Sequence, residues 1–127
     1  MYRILDADDD PVQLELRQML LERAGHEVVN ALTTRQTARE IERGTIHLVI
    51  MDLRFPNAEG EADCREGLQL IRRIREIDGK VPILVLSGWP EDLEGQPEER
   101  MISQVMMKPV KPAALLAAAG ELLGVAS

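Results

Sequence analysis

Four carboxylates, Asp6, Asp8, Asp9 and Asp10, crowd the end of the apolar run in ILDADDDP. Carboxylates this close raise one another's pKa unless a cation or hydrogen-bond donors offset the repulsion. Three more polar residues end apolar runs further along: Asp52 in IHLVIMDL, Ser87 in VPILVLSG and Lys108 after QVMM. Asp8, Asp9 and Asp52 together would make a hard oxygen site for Mg²⁺ or Mn²⁺, which take a few carboxylates and keep waters that a phosphate can replace. Lys108, ordinarily a surface side chain, would be drawn in as counter-charge to three carboxylates. Asp10 is better explained as a helix cap ahead of Pro11, and Ser87 alone would read as a turn residue before Gly88.

The elements that position these residues alternate. YRIL is a short strand, and PVQLELRQMLLERAG a helix with Val12, Leu16, Met19, Leu20 and Arg23 at helical spacing, stopped at Gly25. HEVVNAL is a second strand, and TTRQTAREIERG a polar helix ended by Gly44. IHLVIMDL is apolar almost throughout, as a strand buried on both faces of a parallel sheet must be. GLQLIRRIREI is a third helix, VPILVLSG a fourth strand, QVMMKP a fifth, and KPAALLAAAGELLG the last helix. Between the fourth and fifth strands, Pro90, Gly95 and Pro97 predict a short, weakly held fourth helix. Strands alternating with helices imply an α/β fold, a parallel sheet covered on both faces, with ligands bound outside the carboxyl ends of the strands. Asp8, Asp9, Asp52, Ser87 and Lys108 all fall at that edge.

Composition excludes several classes. The chain of 127 residues reads as one domain, 1–127, able to bury roughly two-thirds of its unfolded surface without a disulfide or metal. A lone Cys64 and the absence of a signal-like or membrane-length apolar run predict a cytoplasmic protein that does not enter a membrane. A net charge of -7 and only three aromatic residues, Tyr2, Phe55 and Trp89, argue against nucleic acid as a partner.

These residues resemble a family, the receiver domain of bacterial response regulators. RILDADDDP, LVIMDLRFP, VPILVLSG and MMKPVKP stand in the family's order and near its spacing along essentially the whole chain. The resemblance implies a doubly wound, flavodoxin-like sheet of five parallel strands in order 2-1-3-4-5. It implies that Asp52 accepts a phosphoryl group from a sensor histidine kinase or a histidine phosphotransfer protein, and that Asp8 and Asp9 hold Mg²⁺ with the carbonyl of Arg54 as a further ligand. Ser87 would hydrogen-bond the phosphoryl oxygen and Lys108 pair with it. The chain would catalyse its own phosphorylation and dephosphorylation rather than turn over a substrate. Its output would be a downstream protein target, or a homodimer formed through the fourth helix, fifth strand and last helix, where Ala113, Ala114, Leu115, Leu116 and their neighbours exceed one core-facing stripe.

Three departures stand out. Asp6 lies where receivers have an apolar strand residue, on the same strand face as Asp8. The segment 57–66 is an acidic, Gly-containing surface loop longer than the family's usual one. Val105 occupies the position of the family's switch aromatic, which supports an alternative reading, a receiver-like module that binds partners without phosphorylation. A Mg²⁺-dependent phosphohydrolase resembling the haloacid dehalogenases would want a similar residue set, but with the nucleophile on the first strand and acidic ligands after the lysine, and only Glu121 follows Lys108. Arg54 and Trp89, each two residues beyond a site group, are expected to rim the pocket.

Overall fold

The computed structural model describes residues 2–124. In chain order its elements are β1 (Arg3–Ala7), α1 (Pro11–Arg23), β2 (Glu27–Ala31), α2 (Thr34–Glu42), β3 (Leu48–Asp52), β4 (Phe55–Pro56), β5 (Ala62–Asp63), α3 (Cys64–Ile77), β6 (Ile83–Ser87), β7 (Gln104–Met107) and α4 (Pro112–Leu123). Five parallel strands form one sheet in the order β2-β1-β3-β6-β7, which is the expected 2-1-3-4-5 once the separate β4-β5 hairpin is set aside.

Strand alternation divides the core in two. Leu5, Ala7, Val49, Met51, Ile83 and Val85 face α2 and α3, where Ile41, Leu70, Ile71 and Ile74 cover them. Ile4, Leu48, Ile50, Leu84 and Leu86 face α1 and α4 and meet Leu21, Leu115, Ala118 and Ala119. Asp6 has the parity of Ile4, so its carboxylate is directed into the second layer, toward α1.

Local signals set most of the boundaries. Asp10 caps α1 by accepting from the Val12 N–H at 3.0 Å, with Pro11 in the first turn where no donor is needed. Thr33 caps α2 in the same way through Gln36. The third helix starts earlier than its apolar periodicity suggests, at Cys64, because Asp63 accepts from the Arg65 N–H at 2.9 Å.

Two expectations are corrected, and a third, the short fourth helix, is met in an irregular form. The buried face of α1 is Leu14, Arg17 and Leu21, whereas Val12, Leu16 and Met19 of the spaced apolar set are 60%, 52% and 48% exposed. The helix turns its cation inward because Asp6 and Asp8 wait there. Segment 57–66 is not a featureless loop. The β4-β5 pairing closes it as a hairpin, with Asn57 Oδ1 accepting from the N–H groups of Glu59 and Glu61 at 2.9 and 3.0 Å and Gly60 supplying a φ of 79°. The fourth helix, expected to be short, is reduced to two 3₁₀ turns, Pro90–Asp92 and Pro97–Arg100. On the last helix the surplus apolar surface left exposed belongs to Ala113, Ala114 and Ala117, while Leu115 is buried and Leu122 and Leu123 pack on the core.

Gly67 fixes how closely α3 approaches the end of β3. A Cβ there would fall on the Leu53 backbone, 2.6 Å from its carbonyl carbon and 2.7 Å from its Cα. No side chain can yield, because the obstacle is main chain. Gly67→Ala is therefore expected to destabilise the protein by about 1–3 kcal/mol, as overpacking does. Urea denaturation checks this, and an unchanged midpoint would mean that α3 can move away from Leu53 at no cost.

Candidate functional site

Register alone assembles the site. β1 pairs with β3 so that Ala7 lies opposite Met51, β3 with β6 so that Asp52 lies opposite Leu86, and β6 with β7 so that Ser87 lies opposite Met107. The next residues in each strand's direction, Asp8 and Lys108, therefore emerge beside Asp52 and Ser87 along one carboxyl edge. The Lys108 N–H donates to the Ser87 carbonyl at 2.9 Å and extends that last ladder by one residue.

Asp8, Asp9 and Asp52 each offer a carboxylate oxygen, and the three oxygens lie within 4.8 Å of one another. Opposite ligands on a hard divalent ion with bonds of about 2.1 Å stand about 4.2 Å apart, so the donor set and its spacing fit Mg²⁺ or Mn²⁺. Lys108 Nζ reaches Asp52 Oδ2 at 3.0 Å and Asp8 Oδ2 at 3.5 Å. The other oxygen of Asp52, Oδ1, accepts from the Leu53 N–H at 2.7 Å. Ser87 is buried, and its Oγ accepts from the Trp89 N–H at 3.0 Å. The expected site residues Asp8, Asp9, Asp52, Ser87 and Lys108 are thus brought to one edge of the sheet.

Sequence reasoning missed Arg17. Its Nε donates to Asp6 Oδ2 at 2.8 Å and its Nη2 to Asp8 Oδ2 at 2.9 Å, and all three side chains are buried. Asp6 Oδ1 has no hydrogen-bond partner among the described residues. A signal was available: a carboxylate on the inner face of a strand needs a buried donor, and Arg17 is the charged residue of the first helix spaced three and four from Leu14 and Leu21. Burial pushes Asp6 up to about 6, with Arg17 working against it. Burial also opposes the charge on Asp8, but the Asp10 N–H, Arg17 and Lys108 outweigh it and hold that carboxyl below its ordinary range. Asp9, by contrast, is raised by burial and by its neighbour Asp8.

Arg54 and Trp89 meet each other. The Arg54 guanidinium carbon stands 3.7 Å from the centroid of the Trp89 ring, and Nε and Nη2 form a fork on Asp92 at 2.8 and 3.2 Å. The acidic partner of Arg54 is Asp92 on the first 3₁₀ turn. Asp92 is the second residue that sequence reasoning overlooked.

Comparison with known proteins adds independent findings. Residues 4–120 match the family described as response regulator receiver domain. The chain is 32% identical to the response regulator GtcR of Aneurinibacillus migulanus over 70% of its own length and 34% of that protein's. It spans about a quarter to a third of the length of two curated relatives that it matches. A response regulator receiver domain protein from Clostridium thermocellum superposes with a TM-score of 0.84 at 23% identity, covering 98% of this chain and 95% of that one. The receiver domain of a sensor histidine kinase from Pseudomonas aeruginosa, with a magnesium ion coordinated in its active site cleft, gives a TM-score of 0.80 at 26% identity over 97% of this chain and 98% of that one.

Removing Arg17 alone should be costly, because Asp6 would remain buried without its counter-charge. Arg17→Ala is expected to lose about 3–5 kcal/mol, the range for breaking one side of a buried pair. Thermal or urea unfolding measures the loss, and a change under 1 kcal/mol would show that Asp6 is stable in its site without the guanidinium.

Proposed function

The chain belongs to the response regulator receiver domain family, and on that premise we propose that residues 1–127 form a single receiver whose Asp52 accepts a phosphoryl group. The donor is a sensor histidine kinase or a histidine phosphotransfer protein, and the signal passes to a downstream protein. The observation that carries this reading is Lys108 Nζ lying 3.0 Å from Asp52 Oδ2 at the edge where Asp8, Asp9 and Ser87 also converge.

An Asp52 oxygen forms the new bond to phosphorus as the bond from phosphorus to the donor's imidazole nitrogen breaks, its electron pair leaving with the ring. Anion must approach anion, so positioning and charge neutralisation supply the catalysis. Lys108 supplies one positive charge to the transferring group. Asp8, Asp9 and the carbonyl of Arg54 would hold Mg²⁺ or Mn²⁺, which when bound draws charge from the phosphoryl oxygens. The buried hydroxyl of Ser87 would donate to the group once it arrives.

The acyl phosphate carries roughly -1.5 to -2 charges at neutral pH where the Asp52 carboxylate carried one. When the Ser87 side chain rotates so that Oγ leaves the Trp89 N–H for the phosphoryl group, that N–H loses its acceptor, and Trp89 carries Arg54 and Asp92 with it. This couples the hydroxyl to the loop through Trp89, with no aromatic side chain needed at Val105. The readout surface is β7 with α4, where Val105 and Met107 of the strand and Ala113, Ala114 and Ala117 of the helix are exposed, and it is this surface that a target or a second copy would cover.

Incubation with acetyl phosphate and Mg²⁺, followed by intact mass measurement, tests the acceptor. One labile phosphoryl group on the native chain and none on Asp52→Ala is expected, and persistent stoichiometric labelling of Asp52→Ala would defeat the assignment. A native chain that never gains the group would instead favour partner binding without phosphorylation.

The stacked Arg54 and Trp89 hinder water at the acyl phosphate. Replacing both by Ala is expected to hasten hydrolysis several-fold, followed as loss of label from Asp52. Equal decay rates in the two proteins would leave the stack without a role in timing.

A further inference from the structure

We propose that Arg17 weakens the resting site for divalent cations, so that cation binding is coupled to arrival of the phosphoryl group. The inference rests on the cation site proposed above. It starts from the occupancy of Asp8. A carboxylate offers about four lone-pair positions. In Asp8, Oδ1 accepts from the Asp10 N–H at 2.9 Å, while Oδ2 is shared by Arg17 Nη2 at 2.9 Å and Lys108 Nζ at 3.5 Å. An incoming cation must compete with one of these donors or take the remaining position beside them.

The donors differ in how easily they leave. Lys108 is partly exposed on a flexible stem and has Asp52 as a second partner. Arg17 is buried, and its Nε is anchored on Asp6 at 2.8 Å. It stays, and its unit charge remains against a cation ligand. Orientation of Asp8 does not need it, since the Asp10 N–H already holds Oδ1. What Arg17 adds is therefore like-charge repulsion toward the metal. The pair with Asp6 is neutral overall, but its positive end lies on Asp8 and its negative end lies deeper in the strand, so the pair acts as a dipole pointed against a cation and toward an anion. A phosphoryl group on Asp52 brings the negative charge that reverses this balance.

Titration with Mn²⁺, followed by the electron paramagnetic resonance of the free ion, with Mg²⁺ as competitor, tests the idea on unphosphorylated protein. Asp6→Val combined with Arg17→Met replaces the pair by apolar side chains of similar volume, a change that buried ion pairs generally tolerate. The double variant is expected to bind at least tenfold tighter than the native chain, while Arg17→Lys, which keeps the charge, stays near the native value. Equal or weaker binding by the double variant overturns the inference, as does Arg17→Lys matching the double variant. A purely structural role would change stability and leave the affinities equal. Asp9→Ala marks the other failure: if none of the proteins binds the ion in a way that Asp9→Ala abolishes, the cation site itself is gone and the inference with it.

Discussion

The constraint on which the structure depends is the concentration of carboxylates at one edge of a parallel sheet. Asp6, Asp8, Asp9 and Asp52 would repel one another strongly in an interior of low dielectric. Two cations offset that repulsion: Arg17 reaches Asp6 and Asp8 from α1, and Lys108 reaches Asp8 and Asp52 from the end of β7. The five-strand order puts β1 and β3 side by side at the centre, where their ends are flanked by helices on both faces. The fold serves to bring these charges within a few ångströms of one another.

The two cations are not equivalent. Arg17 is buried and forked onto two carboxylates, which makes it a fixed part of the core. Lys108 is partly exposed and single-pointed, free to follow whichever anion is strongest at the edge. One charge therefore stabilises the resting arrangement and the other can respond to a new group on Asp52. Around them, Ser87, Trp89, Arg54 and Asp92 form a second chain of contacts, from a buried hydroxyl through a backbone N–H to a stacked guanidinium and its carboxylate. That chain rests on a 3₁₀ turn rather than a full helix, and so on a segment with few regular hydrogen bonds to resist movement.

Much of this was legible in the sequence. Apolar runs, Gly stops, the Asp10-Pro11 start and the rule that ligands sit at strand carboxyl ends locate five parallel strands and the edge carrying Asp8, Asp52, Ser87 and Lys108, while the strand order comes from the resemblance to receivers. What escaped has a common cause. Helix periodicity scores apolar residues, so it assigned Val12, Leu16 and Met19 to α1 and overlooked Arg17, whose burial depends on Asp6, eleven residues away in sequence and across a layer in space. Asp92 escaped for the same reason, since its partner Arg54 lies on a different crossover. The hairpin over 55–63 rests on Asn57 and Gly60, turn chemistry within a stretch whose acidity suggested only a loop. Among the described residues no helix is long and apolar enough to cross a membrane.

The central claim is that Asp52, Ser87 and Lys108 jointly receive a tetrahedral anion beside a cation held by Asp8 and Asp9. A crystal structure of the protein with Mg²⁺ and beryllium trifluoride, a phosphoryl mimic that binds carboxylates, tests it most directly. The account predicts beryllium on an Asp52 oxygen, fluorines within hydrogen-bond reach of Ser87 Oγ and Lys108 Nζ, and the metal on Asp8 or Asp9 while Arg17 still bridges Asp6 and Asp8. Beryllium trifluoride bound elsewhere, or on Asp52 with Ser87 Oγ and Lys108 Nζ both beyond hydrogen-bond reach of the fluorines, would overturn it.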